Sequence, residues 1–379
     1  SLRKVKADYS GDAVRIRRSS DDIEVDVAFD SDGKVSASSA ITNVAEEGGE
    51  SGSTTATDLN EFLNANEQTV GSSQNGTGSI AYNTFTGDSN TGFTVTNSDA
   101  GTFKQAVFGY ESGEGDVIVA NFDLNITSGT PTIQVRTGAA IGTLTAKSDD
   151  ATVSSSTNHT ITLTCTGDGL YIKFLESDAC TFSVSNFTIV SHTHQATVHT
   201  WYDQAGSNDA VQATAANQPK IAENGALLAD GLKFNGNSDN FTINNGVSGR
   251  SIFAVTNQNI DTTGGGLTGY GQDGISSLLG TAGTNSYIFI SNNNSAFNSY
   301  AISIDGASTG DTGQYASNGK ALSSTGGNLG TYGDIPSDTN SLLSIIYSSG
   351  DPAFDWTRLG TGINGNIFMQ GSMSEVILY

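Results

Sequence analysis

The sequence predicts an all-β protein of two β-sandwich, jelly-roll units with one short helix near residues 58–65. Three observations carry that prediction. Glycine is abundant at 46 residues, proline scarce at 4, and charged residues make up only 15% of the chain, so long helices lack their usual formers. Thr, Val, Ile, Phe and Tyr recur instead in short bursts separated by Gly, Asn, Asp and Ser, which is strand-and-turn texture. At 379 residues the chain also exceeds what one hydrophobic core usually serves, so more than one domain is expected.

Residues 1–35 hold two strands, AVRIRRSS and DIEVDVAFD, the second leading into the turn Ser31-Asp32-Gly33. Ile23, Val25 and Val27 alternate with Glu24, Asp26 and Ala28, the period of a half-buried strand. TATDLNEFLNA is the helix: Asp58 caps it, Glu61 closes a capping box, and Leu59, Phe62 and Leu63 form its apolar stripe. From 70 to 195 come GFTVTNS, KQAVFGY, DVIVANFDLNI, TIQVRTG, HTITLTCT, GLYIKFLES and CTFSVSNFTIV, with no helix between them. Strands of this length and spacing predict a separate sandwich inserted into the chain. The remainder, 196–379, includes LKFNG, NFTINN, SIFAVTN, SYIFISNN, YAISIDG, SLLSIIYSS and GSMSEVILY, enough for a second two-sheet sandwich.

A formal charge of -23 with only 16 Lys and Arg would repel phosphate backbones, which argues against a nucleic-acid partner. Arg3, Lys4, Lys6, Arg15, Arg17, Arg18 and Lys34 nevertheless crowd the first 34 positions. They predict either a basic element docked on an acidic body or neighbouring subunit, or alternating charges on the wet face of a hairpin. Cys165 and Cys180 are too few for a disulfide scaffold and flank an expected hairpin, where they either oppose one another or stay reduced and buried. No stretch approaches the roughly 20 apolar residues of a membrane span, so no membrane insertion is expected. No signal peptide is visible, and a chain opening at Ser1 reads as a processed or ordered fragment of something longer.

Particular residues carry family resemblances. LKFNGNSDNFTI (232–243) and GSMSEVILY (371–379) resemble the opening and closing strands of laminin-G-like, concanavalin-A-like lectin domains, and FSVSNFTIV resembles the closing strand of jelly-roll carbohydrate-binding modules. The combination of residues 1–33, the capped helix and TWYDQAGSNDAVQATAANQPKI (200–221) is similar to a module of tailed-bacteriophage structural proteins. That module is itself distantly similar to the catalytic domain of arabinofuranosidase B. In it the helix runs on almost directly to the Trp-Tyr-Asp-Gln strand, so the resemblance implies one discontinuous domain, 1–69 plus 196–379, interrupted by 70–195. It also implies a virion surface protein, a decoration, fibre or tail-associated component. Its expected partners are other virion proteins, further copies of itself, and cell-surface or environmental glycans. The alternatives are a secreted glycoside hydrolase of arabinofuranosidase type and a bacterial surface adhesin.

The candidate glycan-binding residues are Trp201, Tyr202, Asp203, Gln204 and Asn208. An aromatic ring beside planar polar groups suits a sugar, with the ring stacking and the amides and carboxylate meeting hydroxyls. The competing reading makes the aromatics a plug at the sandwich edge and uses Asp203 and Gln204 to hold a tight turn at Ala205-Gly206. No catalytic residue is assigned. Retaining hydrolysis needs two carboxylates about 5 Å apart, and the segment downstream of the motif, 264–283, holds only Asp273. Glu223, Glu375 and Asp203 match no catalytic position of the arabinofuranosidase pattern. His192 and His194 share a strand face but lack a third ligand at defined spacing, and Asp30-Ser31-Asp32-Gly33 and Asp305-Gly306 lack a full calcium-ligand series. Neither a metal nor a cofactor is therefore expected.

Overall fold

A computed structural model describes residues 2–46, 54–65, 69–88, 91–141, 151–167, 169–249 and 251–257, then the shorter segments 275–280, 287–291, 302–305, 314–317, 320–321, 324–325, 328–329, 341–346, 354–361 and 368–378. Among the described residues the fold is all-β, with antiparallel sheets and one short helix. Strands β1 (Val14–Arg18), β2 (Ile23–Val27) and β3 (Ile41–Glu46) form an antiparallel ribbon with β2 in the middle, Val25 opposite both Ile16 and Val44. The half-buried pattern expected of β2 gives way to burial on both faces. Glu24 and Asp26 are buried along with the valines. Asp26 is covered because Arg15 grips both its oxygens at 2.8 and 2.9 Å while Asn43 and Tyr202 donate to it. The basic cluster divides: Arg15, Arg17 and Arg18 pair with Asp26, Asp22 and Asp21 of the same ribbon, Arg18 buried rather than on a wet face, whereas Arg3 reaches Glu375 near the end of the chain.

Helix α1 (Leu59–Asn64) begins where expected, the Glu61 N–H donating to Asp58 Oδ1 at 2.9 Å. The reciprocal half of the capping box falls one residue earlier than predicted, since Glu61 Oε2 accepts from the N–H and hydroxyl of Thr57. Leu59, Phe62 and Leu63 are buried, and the enclosed Arg18 guanidinium sits 4.6 Å over the Phe62 ring while donating to the Phe62 carbonyl.

Ten strands follow: β4 (Ser73–Asn75), β5 (Thr84–Asp88), β6 (Gly92–Asn97), β7 (Lys104–Ser112), β8 (Val117–Ser128), β9 (Ile133–Gly138), β10 (Ala151–Val153), β11 (Asn158–Thr164), β12 (Gly169–Glu176) and β13 (Cys180–Thr193). They make two five-stranded sheets, β10-β9-β12-β7-β4 and β11-β8-β13-β6-β5. Alternating residues of facing strands supply the core between them. Phe93 and Phe122 of one sheet meet Phe108 and Phe174 of the other at ring separations of 5.1 to 5.7 Å, and Phe187 stacks on Phe108 at 4.5 Å. The hairpin expected around the cysteines does not form. β11 and β12 lie in opposite sheets, so Cys165 and Cys180 flank a crossing strand, and each is a free thiol buried in this core.

The next strands are β14 (Ala196–Trp201), β15 (Ala210–Val211), β16 (Lys220–Glu223), β17 (Ala226–Leu227), β18 (Leu232–Asn235), β19 (Phe241–Gly249) and β20 (Ser251–Asn257). β14 pairs along its length with β1, then forks on its other edge: Thr200 and Trp201 pair with β15, whereas Ala196 and Thr197 pair with β16. One branch runs from β15 through β19 to the Phe354–Leu359 and Ile275–Gly280 strands. The other runs from β16 through β18, the closing Gln370–Leu378 strand and β20 to the Ser341–Ile346 strand. Phe241, Ile243, Trp356 and Leu359 of the first branch share one buried cluster with Leu232, Phe234, Ile252 and Met373 of the second. The same cluster takes in Val14, Val25 and Phe62 from the N-terminal elements, so segments nearly the whole chain apart build one core.

Candidate functional site

The fork in β14 opens a cleft of about 480 Å³ at its C-terminal end. Its floor is apolar, from Leu2, Phe29, Trp201, Ile243 and Leu359, and its rim carries Arg3, Lys6, Asp203, Gln204, Asn208 and Glu375. All five residues expected to meet a glycan line this one cleft. The extended N-terminal segment, the 201–208 turn and the closing strand carry the rim, while Phe29, Ile243 and Leu359 of the floor come from three further parts of the chain.

The polar groups of these five residues are not equally free. Tyr202 donates its hydroxyl to Asp26 Oδ1 at 2.6 Å, and burial together with that carboxylate raises its pKa far above the phenolic range. Asp26 remains ionised: burial works against its charge, but hydrogen bonds from Arg15, Tyr202 and Asn43 outweigh burial and hold it below the ordinary carboxylate value. Asp203 folds the turn as expected, Oδ1 accepting from the Ala205 N–H at 2.8 Å and Oδ2 from the Asn208 N–H at 3.1 Å. Gln204 departs from its expected place in that turn. Its Oε1 accepts from the Val5 N–H at 2.7 Å and, more weakly, the Lys6 N–H at 3.4 Å, and its Nε2 donates to the Arg3 carbonyl at 2.9 Å. It is thus a clamp on the N-terminal segment. What remains for a ligand is the half-buried Trp201 ring, packed on the core by one side, and the Asn208 carboxamide, which makes no hydrogen bond with a described residue.

Arg3 of the basic cluster and Glu375, one of the acids considered for catalysis, meet across the cleft rim at 3.6 Å, a pairing the sequence did not show. Of the other acids considered, Glu223 lies away from the cleft lining, paired with Lys233 at 2.9 Å, and Asp273 lies outside the described residues. Asp30 accepts from the Asp32 and Lys34 N–H groups and so holds a turn, while Gly306 lies outside the described residues.

A second polar cluster sits where the inserted sheets join the rest. Asp116, His192 and His194 are fully buried together. Asp116 Oδ1 accepts from the Ser19 hydroxyl at 2.8 Å and the Gln195 N–H at 2.9 Å; Oδ2 accepts from the Gly113 N–H at 3.0 Å and faces His192 Nε2 at 2.8 Å and His194 Nδ1 at 3.4 Å. Burial would raise the Asp116 pKa, but the two histidines hold it well below the carboxylate range. His192 moves down from its ordinary value, chiefly through burial. Leu63 and Ala65, beside the point where the chain leaves for the inserted strands, accept from the His194 N–H and Nε2 where it returns. The packing leaves no room for a side chain at Gly113, where a Cβ would fall 2.5 Å from the Ser19 carbonyl. Sequence reading paired His192 with His194 but missed Asp116, 76 residues upstream, for which the only local sign is the Gly113-Glu114-Gly115 turn before a strand. Compared with known protein families, curated proteins and solved structures, the chain shows no significant match to any of them.

Proposed function

We propose that this chain is a non-catalytic surface protein of a tailed-phage particle, a decoration, fibre or tail-associated component, whose cleft holds a saccharide. The observation that carries the saccharide reading is the division of labour in the cleft. Tyr202, Asp203 and Gln204 spend their polar groups on Asp26, the turn and the N-terminal segment, which fixes the walls. The Trp201 ring and the Asn208 carboxamide are left beside the Arg3–Glu375 pair, a flat apolar surface with polar groups at its edge. That combination suits a sugar ring, which has an apolar face and a hydroxyl-bearing rim.

Hydrolysis is the less supported use of the same cleft. A retaining glycosidase needs one carboxylate free to attack and another kept protonated by its surroundings. Of the two carboxylates on the rim, Asp203 holds the turn with both oxygens and Glu375 faces Arg3. The particle assignment rests on the resemblance of residues 1–33, the helix and 200–221 to the phage structural module. Screening the purified chain and its Asn208→Ala variant against a glycan array tests the binding claim. Binding by the parent that is lost in the variant, with an unchanged melting temperature, supports it. Binding to no glycan refutes it. Light scattering with purified particle components tests the assembly claim, and a chain that stays monomeric and ignores them contradicts it.

A further inference from the structure

We propose that Asp116, His192 and His194 form a buried site for a divalent transition metal, with zinc the ion best matched to the donors. His194 Nε2 lies 2.8 Å from the Ala65 carbonyl, which can only accept, so that nitrogen carries the hydrogen. Nδ1 has no hydrogen-bond partner although the residue is 2% exposed, and it points at Asp116 Oδ2 from 3.4 Å. With Nε2 committed to Ala65, Nδ1 is the nitrogen left to share a cation with Asp116 Oδ2.

The surroundings match the outer shell of a metal site. Ligating histidines donate their other N–H to a carbonyl, carboxylate or similar group, which fixes the tautomer. His194 does so to Ala65. His192 Nδ1 lies 3.0 Å from the Tyr110 hydroxyl, which becomes its acceptor once Nε2 turns to the ion. Asp116 Oδ1 accepts from Ser19 and Gln195, and Oδ2, which accepts only the Gly113 N–H besides facing the histidines, is the oxygen that would meet the ion. Ligands about 2.0–2.1 Å from zinc at tetrahedral angles stand about 3.3 Å apart. The observed separations from Oδ2, 2.8 Å to His192 and 3.4 Å to His194, bracket that value, and all three donor atoms lie within 4.8 Å of one another. On binding, the 2.8 Å contact between Oδ2 and His192 opens by about half an ångström. Three protein donors leave the fourth tetrahedral position to a water. Because Asp116 and the histidines tie the inserted sheets to Ser19 and Ala65, the ion would act as a structural pin between the two parts of the chain.

The test uses the full chain, stripped with a chelator and titrated with Zn²⁺ and separately with Co²⁺. The proposal expects one ion per chain, a tetrahedral Co²⁺ absorption spectrum and a higher melting temperature on loading. His194→Gln is expected to weaken Zn²⁺ binding by more than about 100-fold, beyond the loss typical of an outer-shell partner. His159→Gln, at a half-buried histidine of the inserted sheets outside the cluster, should leave it unchanged. Should His194→Gln fail to fold, ¹⁵N-histidine spectra of the parent decide. Zn²⁺ must shift His192 Nε2 and His194 Nδ1 while His194 Nε2 keeps its proton. Folded parent that takes up no stoichiometric ion, uptake that survives His194→Gln, or a His194 Nδ1 that stays protonated in Zn²⁺ overturns the proposal.

Discussion

Replacing Gln204 with alanine should free the N-terminal segment without unfolding the protein. The side chain gives that segment two good hydrogen bonds, to the Val5 N–H at 2.7 Å and the Arg3 carbonyl at 2.9 Å, and a weak third at 3.4 Å. Each is worth about 0.5–1.5 kcal/mol net. These bonds are solvent-exposed, so water replaces them cheaply and the combined loss belongs near about 1–2 kcal/mol. A change of that size raises the population of the locally open state roughly 5–30-fold. Amide hydrogen exchange reads it directly: the Val5 amide should exchange faster by about that factor. Lys4, whose N–H bonds to the Gly33 carbonyl at 2.6 Å, should respond less, and the buried strands not at all. Unchanged exchange at Val5 would show that Leu2 and the Arg3–Lys34 bridge hold the segment unaided, and the clamp reasoning would fall.

Two further substitutions probe the buried charges. Asp116→Ala leaves His192, Ser19 and the Gly113 and Gln195 N–H groups without their acceptor and should cost about 3–5 kcal/mol in chemical denaturation at neutral pH. In the parent, the depressed Asp116 pKa contributes stability above the unfolded value near 3.9, stability that is lost as the pH falls through the folded one. Asp239 has the opposite sign: burial pushes its pKa up to about 7, so the folded state holds the proton longer than the unfolded one. Its contribution is complete below about pH 4 and is lost as the pH rises to about 7, by at most about 4 kcal/mol. Asp239→Asn should therefore gain stability over the parent at pH 7 and lose that advantage at pH 4. Melting curves that track the parent at both pH values would contradict this.

Much of the architecture was legible because it follows from short-range pattern. Alternation in DIEVDVAFD and in the β8 segment, and the Asp58 cap with its Leu59, Phe62 and Leu63 stripe, each state a local structure in a few residues. What alternation could not show is how many layers cover a strand: the acids of β2 are buried because Arg15 and Tyr202 close over them. The cysteines show the same limit, since nothing in residues 158–180 says that the chain changes sheets between β11 and β12. At the cleft the residue types were readable but their duties were not. Asp203 acts within five residues of itself, whereas Gln204 reaches Val5 across 199 positions. Asp116 likewise finds Ser19 across 97 positions and His192 across 76. Such partnerships depend on the packing of the whole chain and leave no periodic trace.

The saccharide claim is tested most directly by watching the two tryptophan indoles while a panel of saccharides is titrated in. Trp201 lies in the cleft, and Trp356 is fully buried in the core on the neighbouring branch, so one chain supplies both probe and internal control. A bound saccharide should move the Trp201 indole resonance in the parent, leave Trp356 in place, and move neither in Asn208→Ala. A panel in which no saccharide moves Trp201, or in which Asn208→Ala responds as the parent does, would contradict the saccharide claim.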